Sequence, residues 1–414
     1  MTRTFRARWV VPVGRPPIEN GRMVVRDGRI TLVESATGFS SGDVIDFGDA
    51  VILPGFVNAH THLELTHCRG RVPHRGSFVA WIRDLVAMNA SAPPERFSES
   101  ILEGAAQSLA AGVTTLADIG HGPDACAAWR RIEPRTVGFL EVLGMGPRRQ
   151  AAHDRSLAAA VGLCEAHQPP AARERLGLSP HAPYSTDPSV YAAAVDFCRR
   201  RGRPLCTHLA ETRDEARFLR DGTGPFRELL ESWNLWDGSF TPPGCSPVRY
   251  AARLGLLDGP VLLAHVNYAD DDDLDLLARG DARVVYCPRT HRFFGHDPHR
   301  YRDMLARRIH VCLGTDSLAG VESLSILDEL RFLRSIDSET PDEVLVHMAT
   351  LGAARALNLD AHTGSLEPGK QADIVVIPLE NPGTREPTRD LLESVAAPAV
   401  VYLGGAPAVT PASR

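Results

Sequence analysis

The sequence predicts an α/β protein, a (β/α)8 TIM barrel with a small composite β-sandwich formed by both chain ends. Short apolar, β-prone runs alternate with helical patterns through the middle of the chain, as is typical of parallel strands joined by crossover helices. Further β-prone runs lie at both ends. The 414 residues exceed the roughly 250 of a bare barrel. We therefore expect residues 1–54 and 361–414 to form the sandwich and residues 55–360 the barrel.

The two chain ends carry the elements of the expected sandwich. Before residue 54, short β-prone runs are separated by predicted turns at Asp27-Gly28 and Ser41-Gly42-Asp43, because these residue types favour turn conformations. Near the C-terminus, β-prone runs recur at residues 373–378 and 399–403. We expect these late runs to pair with the early ones.

The barrel is expected to begin at Val51 and to contain seven further strands. These lie near residues 113–118, 136–143, 175–181, 204–209, 261–266, 283–287 and 310–316. Helical periodicity predicts the intervening and following helices at residues 95–110, 151–168, 188–201, 322–336 and 341–357.

Six chemically active side chains close short apolar runs. They are His60, His62, His208, Glu211, His265 and Asp316. Catalytic groups of such barrels lie at the C-terminal ends of the strands, so residues far apart in the chain meet there. His60 and His62 point the same way because side chains alternate along a strand. Imidazole suits transition metals such as zinc and iron. With His208 and Asp316, the pair would leave one position open for water, as a catalytic metal site requires.

Five motifs in order carry a resemblance to a known family. They are Leu-Pro-Gly-Phe-Val-Asn-Ala-His-Thr-His, Ser-Pro-His-Ala-Pro-Tyr-Ser, His-Leu-Ala-Glu-Thr, Gly-Thr-Asp-Ser and Gly-Ser-Leu-Glu-Pro-Gly-Lys-Gln-Ala-Asp-Ile-Val. Together they resemble the amidohydrolase superfamily, in particular its nucleobase deaminase and chlorohydrolase branch. The resemblance implies one divalent metal ion, zinc or alternatively iron, held by the residues His60, His62, His208 and Asp316.

The number of metal ions follows from the same resemblance. Superfamily members with two metals commonly bridge them with a carboxylated lysine, but the only lysine here is Lys370, in a C-terminal turn. A lysine-bridged pair is therefore excluded. Glu141 stays open as an alternative bridging carboxylate. The glutamate three residues after His208 belongs to the mononuclear pattern, so we expect one metal.

The resemblance also implies a division of catalytic work. A metal ion lowers the pKa of a bound water toward neutrality, and Asp316 would accept that water's proton while His265 orients the nucleophile. Glu211 would protonate a ring nitrogen of the substrate and then carry a proton to the leaving amine. Each such proton transfer typically contributes about a hundred- to ten-thousandfold in rate.

Two residues near the metal set are expected to contact the substrate. His181, at the end of the fourth predicted strand, matches a substrate-contacting histidine of the branch; its alternative is a hydrogen-bonded structural role. Glu64 follows the first histidine pair. Its carboxylate is expected either to bind a hydroxyl or amine of the ligand or to orient a metal-binding histidine.

Four further positions are weighed as pocket residues. Ser-Phe-Val-Ala-Trp-Ile resembles the helix that covers the pocket of aminodeoxyfutalosine deaminases, so Phe78 and Trp81 are expected to stack a purine, with helix packing as the alternative. Arg148 is expected to face a carboxylate or ribose, or else solvent. His291 lies where relatives usually carry Ser-Asn; it would bind ligand or be an incidental loop histidine.

The expected function is hydrolytic deamination of an aminopurine nucleoside, with aminodeoxyfutalosine first and adenosine-like thioether nucleosides next. The alternative is a chlorohydrolase or another C–N or C–Cl hydrolase acting on a nitrogen heterocycle. A barrel that serves only as an assembly scaffold is disfavoured, because every ligand and proton-handling position is filled.

Composition narrows the partners and the compartment. The net charge of −6 and the pI near 6.2 give no basic footprint, so nucleic acid is disfavoured and a small-molecule substrate is expected. The sequence has no signal-peptide pattern and no apolar run of membrane length. Its eight cysteines include no CxxC pair, as expected of reduced thiols in the cytoplasm. The resemblance admits a homodimer.

Overall fold

The computed structural model describes residues 2–36, 43–166 and 174–409. The strands are β1 (Thr2–Val10), β2 (Ile18–Arg26), β3 (Arg29–Ser35), β4 (Asp43–Asp46), β5 (Ala50–Pro54), β6 (Phe56–Thr61), β7 (Val113–Gly120), β8 (Arg135–Val142), β9 (Glu174–Pro180), β10 (Cys206–Leu209), β11 (Val261–His265), β12 (Ala282–Tyr286), β13 (His310–Leu313), β14 (Ile374–Pro378), β15 (Val400–Leu403) and β16 (Ala406–Val409).

The helices follow the same chain order. They are α1 (Phe78–Ser91), α2 (Glu95–Ala110), α3 (Gly122–Trp129), α4 (Arg148–Ala151), α5 (Ala158–Ala166), α6 (Pro188–Arg201), α7 (Arg213–Asp221), α8 (Pro225–Ser232), α9 (Pro247–Arg253), α10 (Asp271–Arg279), α11 (Pro288–Phe294), α12 (Tyr301–Ala306), α13 (Ile326–Ile336), α14 (Asp342–Met348), α15 (Leu351–Ala356) and α16 (Pro387–Glu393). Leu63–Cys68 and Leu256–Asp258 form 3-10 turns, and Ala152–Leu157 forms a π-helical segment between α4 and α5.

The eight strands β6 to β13 form the barrel. They hydrogen-bond as two parallel four-stranded sheets, β6 to β9 and β10 to β13. At one seam, Leu178 and Leu205 form a parallel bridge. At the other, the backbone N–H of Asp316 donates to the carbonyl oxygen of His60 at 3.0 Å. These contacts close the barrel and confirm the predicted fold class.

The strands from both chain ends form one continuous eight-stranded sheet. Its order is β16-β15-β14-β5-β1-β2-β3, and β4 pairs with β1. Strand β14 runs antiparallel to β5, with Ile374 opposite Pro54 and Ile377 opposite Val51. Buried side chains from both chain ends share one core, among them Phe5, Met23, Ile52, Ile374 and Tyr402. The predicted pairing of late with early strands is therefore confirmed.

The expectation that the barrel begins at Val51 is wrong. Residues 50–54 form β5 of the composite sheet, and the first barrel strand begins at Phe56. The chain crosses from one sheet to the other at Gly55, where a Cβ would lie 2.2 Å from the side chain of Thr114. Because β5 and β6 are both fully buried, hydrophobic patterning gives no sign of the crossing.

The structure also corrects the boundaries of several predicted helices. The helix predicted at 322–336 begins at Ile326 because the Ser325 hydroxyl accepts from the Asp328 N–H at 3.1 Å. The stretch 341–357 divides into α14 and α15 around Thr350. The Asp27-Gly28 turn is present. The predicted turn at 41–43 and the end of the helix at 151–168 fall partly outside the described residues.

No helix among the described residues has both the length and the apolar character needed to cross a bilayer. All eight cysteines are free thiols, and only Cys245 is partly exposed.

Candidate active site

A cavity of about 580 Å³ opens at the C-terminal ends of the barrel strands, within the size range of ligand pockets. Its polar floor is lined by His62, Glu64, His121, Glu141, His181, His208, Glu211, His265 and Asp316. Its outer part is apolar and is lined by Leu65, Phe78, Trp81, Ile82, Leu85, Met145, Phe226, Leu229, Leu230, Trp233 and Phe294. The cavity therefore joins a polar floor to an apolar outer compartment supplied largely by α1 and α8.

The four predicted metal ligands converge at this floor. The Nε2 atoms of His60 and His62 each lie 3.8 Å from Asp316 Oδ1. His62 Nε2 and His208 Nε2 are 3.1 Å apart. One ligand atom each from His60, His62 and Asp316 lie within 4.8 Å of one another, and the same holds for His60, His208 and His265. Residues up to 256 positions apart in the chain thus meet within the span of one coordination shell.

The chemistry of these donors fits a divalent metal ion. Both ring nitrogens of His60 are buried without a hydrogen-bond partner among the described residues. Buried polar atoms in proteins are normally satisfied. His208 Nδ1 donates to the carbonyl oxygen of His181 at 3.0 Å, which leaves its Nε2 lone pair for an ion. Burial, and then the neighbouring histidines, lower the pKa of His60, His208 and His265, so their rings are neutral.

Left-handed backbone at the strand ends aims several of these groups. Ala210, His265 and Asp316 have φ values of 52°, 75° and 59°, a region that non-glycine residues rarely occupy. Such backbone persists only where the surroundings enforce it. At Ala210 this backbone conformation is stabilised by the fully buried carboxylate of Glu215. That carboxylate accepts hydrogen bonds from the N–H groups of Ala210 at 2.9 Å and Glu211 at 2.8 Å.

The predicted proton-handling residues sit beside the metal set. Glu211 Oε1 lies 3.6 Å from His265 Nε2, and both side chains are buried. Burial, together with the negative Asp316 and Glu215, raises the pKa of Glu211 well above its usual value. Burial also raises the pKa of Asp316 to about 7, with Glu329 adding to the effect. Glu211 can therefore hold a proton near neutral pH, as a general acid must.

A residue that the sequence reasoning missed completes the floor. His121 Nδ1 lies 2.6 Å from Glu64 Oε1, and its Nε2 lies 3.0 Å from Glu141 Oε2. Burial lowers the pKa of His121, but the two carboxylates outweigh it and leave that pKa well above the usual value. His121 directly follows β7, so the strand-end position was a usable signal; no recognised motif contains it. We refer to Glu64, His121 and Glu141 as the carboxylate–imidazole triad.

The structure places Glu64 against His121 at the cavity floor. Its Oε2 accepts the backbone N–H of His121 at 3.2 Å, while its Oε1 contacts the ring. Glu64 therefore orients His121, which is not a predicted metal ligand, and its oxygens already have donors. Because Glu64 also lines the cavity, the expected contact with the ligand stays a prediction.

The remaining predicted pocket residues divide into two groups. His181, Phe78, Trp81 and Arg148 line the cavity. Phe78 and Trp81 also pack edge-on against Phe294, with ring centroids 4.9 and 5.0 Å away. These two side chains therefore both line the cavity and pack their helix against its neighbour. Arg148 is exposed and has no ion pair among the described residues.

His291 lies outside this cavity. It is on α11, with its ring 5.6 Å from that of Tyr286 and 5.8 Å from that of His299. The segment predicted as a loop is a helix, and its turn carries His291 toward these rings rather than toward the cavity. Because His291 does not line this cavity, the expected ligand contact has no support from the geometry and stays a prediction.

The fold and the site define a class: a (β/α)8 hydrolase with a histidine-rich centre suited to a divalent metal ion. The profile of the amidohydrolase family matches residues 51–410, and the chain belongs to that family. It is a hydrolase of the deaminase type. The family resemblance predicted from the motifs is thus confirmed.

Three known proteins illustrate the similarity. A 5-methylthioadenosine/S-adenosylhomocysteine deaminase of Moorella thermoacetica is 29% identical, covering 91% of this chain and 86% of the relative. Aminofutalosine deaminase of Helicobacter pylori, solved with methylthio-coformycin, has a TM-score of 0.86 at 21% identity, covering 98% and 100%. Atrazine chlorohydrolase of Arthrobacter aurescens, solved with zinc, has a TM-score of 0.82 at 20% identity, covering 99% and 95%. The two solved structures share the fold of this chain.

Proposed function

We propose that this protein is a metal-dependent deaminase of aminopurine nucleosides that carry an apolar 5′ substituent. The main observation behind this proposal is the position of Glu211. Its buried carboxyl has a raised pKa and lies beside the four predicted metal ligands, below the apolar part of the cavity. The name of the relative that is similar in sequence supports adenosine-type thioethers, whereas the aminofutalosine deaminase is similar at only 21% identity. The lining of the cavity also favours a thioether nucleoside over aminodeoxyfutalosine, whose carboxylate would need a positively charged partner. Arg148 is the one arginine or lysine among the described lining residues, and it lies exposed at the rim.

The metal site is proposed to hold a single ion, zinc first and iron as the alternative. His60, His62, His208 through Nε2, and Asp316 would hold it. When bound, such an ion acts as a Lewis acid and lowers the pKa of water. The unpartnered ring of His60 supports this assignment, because an imidazole with no protein partner otherwise lies buried at a cost of about 1 to 3 kcal/mol per group.

The protein's own groups then divide the reaction. Asp316 takes a proton from the attacking water, while His265 Nε2 orients that water toward the ring carbon bearing the amine. Glu211 gives its proton to the neighbouring ring nitrogen, which makes that carbon electrophilic. Glu211, now ionised, takes the proton of the hydroxyl that water added and passes it to the amine, so the C–N bond breaks as the C=O bond forms. The proton held by Asp316 then returns Glu211 to its starting form. One water is consumed, and ammonia and the oxo-purine nucleoside are released.

An ammonia-release assay tests the proposal. The zinc-reconstituted protein is given adenosine, 5′-methylthioadenosine, aminodeoxyfutalosine and a chlorotriazine, with chloride release measured for the last. We expect the largest kcat/KM for the thioether nucleoside. Glu165→Gln serves as the matched control for Glu211→Gln, because Glu165 is half-exposed and its one ion pair within the described part of the chain is with Arg201. Chloride release without ammonia release from any nucleoside would overturn the assignment in favour of the chlorohydrolase alternative.

A further inference from the structure

The carboxylate–imidazole triad leaves one carboxylate oxygen unused. Glu141 is held through Oε2, which lies 3.0 Å from His121 Nε2. Its Oε1 is buried with no hydrogen-bond partner among the described residues, and its side chain is only 8% exposed. Glu141 lines the cavity, and a buried acceptor such as this oxygen is normally paired with a donor.

A second acceptor lies close to it. The hydroxyl of Ser185 lies 2.6 Å from His181 Nδ1 and 3.1 Å from the carbonyl oxygen of Ala182, to which it can donate. With the hydroxyl hydrogen on that carbonyl, Nδ1 of His181 carries the ring proton and Nε2 presents a lone pair. One ligand-capable atom each of Glu141, His181 and His208 lie within 4.8 Å of one another.

The same three residues do not make a second metal site. His208 Nδ1 is occupied by the carbonyl oxygen of His181, and its Nε2 lies 3.1 Å from His62 Nε2, within the first metal set. Only Glu141 and His181 then remain, too few protein ligands for a catalytic zinc, which takes three. Two adjacent acceptors without a metal are suited to two adjacent hydrogen-bond donors.

These acceptors also stand apart from the reacting groups. Glu141 belongs to β8, and His121 and His181 directly follow β7 and β9, in one half of the barrel. Glu211, His265 and Asp316 follow or end strands of the other half. A substrate whose ring is protonated by Glu211 therefore contacts Glu141 and His181 with a different part of its structure.

We propose that Glu141 Oε1 and His181 Nε2 accept hydrogen bonds from two neighbouring hydroxyls of the substrate, as a ribose 2′,3′-diol presents, and that Glu64 and His121 position Glu141. This inference rests on the proposed nucleoside deamination. It makes the diol a specificity determinant: a substrate without it leaves the buried Glu141 Oε1 without a donor and His181 Nε2 without its second partner. Sites of this kind reject analogues that lack the hydroxyl far more strongly than apolar pockets reject a missing methylene.

The test compares kcat/KM for adenosine, 2′-deoxyadenosine, 3′-deoxyadenosine and free adenine, using ammonia release by the zinc-loaded enzyme. A hydrogen bond to a charged group corresponds to a loss of about ten- to hundredfold when its donor is removed. We expect that loss for at least one deoxy analogue. In Glu141→Gln, the amide nitrogen replaces the acceptor oxygen, because the amide oxygen stays with His121. The ratio of ribonucleoside to deoxynucleoside should then fall toward one.

Two further variants separate positioning from general damage. His121→Asn should lower the same ratio by a larger factor than it lowers the rate with free adenine, a pattern that simple structural damage does not produce. Glu165→Gln, on the outer surface, should preserve the wild-type ratio.

The outcomes that contradict the inference are distinct from those that contradict the function. No ammonia from any purine substrate overturns both. Ammonia release with equal kcat/KM for the ribo- and deoxynucleosides overturns the diol site alone, as does an unchanged ratio in Glu141→Gln. Two equivalents of zinc in the wild type, falling to one in Glu141→Gln, would show that Glu141 is a metal ligand instead.

Discussion

The carboxylate of Glu215 holds the backbone of Glu211 in place, accepting its N–H at 2.8 Å and that of Ala210 at 2.9 Å. Ala210 has a left-handed φ of 52°, so the turn that presents Glu211 is maintained by a buried side chain four residues further on. Glu215 is completely buried. The proton-handling group therefore depends on an interaction that does not itself touch the cavity.

Replacement of Glu215 by glutamine should lower both stability and turnover. An amide offers one acceptor where two backbone N–H groups need one each, and the unsatisfied group costs about 1 to 3 kcal/mol. We expect a drop of that size in the free energy of unfolding by denaturant titration. We also expect kcat to fall with little change in KM. The exposed Glu228→Gln is the control; a wild-type kcat in Glu215→Gln would show that Glu211 needs no such support.

Glu211→Gln should abolish turnover without loss of metal. The amide keeps the shape of the side chain but has no proton to transfer, so kcat should fall by about a hundred- to ten-thousandfold. Metal content is measured by elemental analysis on the same preparation. A variant that keeps near-normal kcat would remove Glu211 from its assigned role, and one that loses its metal would make it a ligand.

Arg148→Met separates the two leading substrates. Arg148 is exposed and unpaired within the described residues, so a carboxylate at the rim would gain only about 0.2 to 1 kcal/mol from it. KM for aminodeoxyfutalosine, which carries a carboxylate, should rise by up to about fivefold. KM for 5′-methylthioadenosine should not change. An equal rise for both nucleosides would mean that Arg148 contacts their shared part.

Trp81→Ala should weaken binding through the 5′ substituent. Trp81 packs against Phe78 and Phe294 at the wall of the apolar compartment, and burying apolar surface there contributes roughly 25 cal/mol per Å². We expect KM to rise more for 5′-methylthioadenosine than for adenosine, with Trp81→Phe intermediate. Equal effects on the two nucleosides would place the thioether elsewhere.

The motif order predicted the metal set and the proton-handling pair because each residue closes a buried strand, and a closed barrel must bring strand ends together. His121 closes β7 in the same way, yet no recognised motif marks it. Its importance comes from Glu64 and Glu141, which meet it only in three dimensions.

Other features depend on information that local patterning does not carry. Thr212 and Glu215 have the spacing of a capping box and so indicate a helix start. Glu215, however, turns its carboxylate to the backbone N–H groups of residues 210 and 211. The change of sheet at Gly55 lies between two fully buried strands, and His291 lies on a helix and is not among the residues that line the cavity.

The most direct test of the central claim is a zinc titration of metal-free protein, following ammonia release from 5′-methylthioadenosine at each addition. The convergence of His60, His62, His208 and Asp316 on one position predicts activity that rises linearly and stops at one equivalent of zinc per chain. In His60→Asn the activity should stay near zero throughout. Activity that is already full in the metal-free protein, or that continues to rise to two equivalents, would contradict the account.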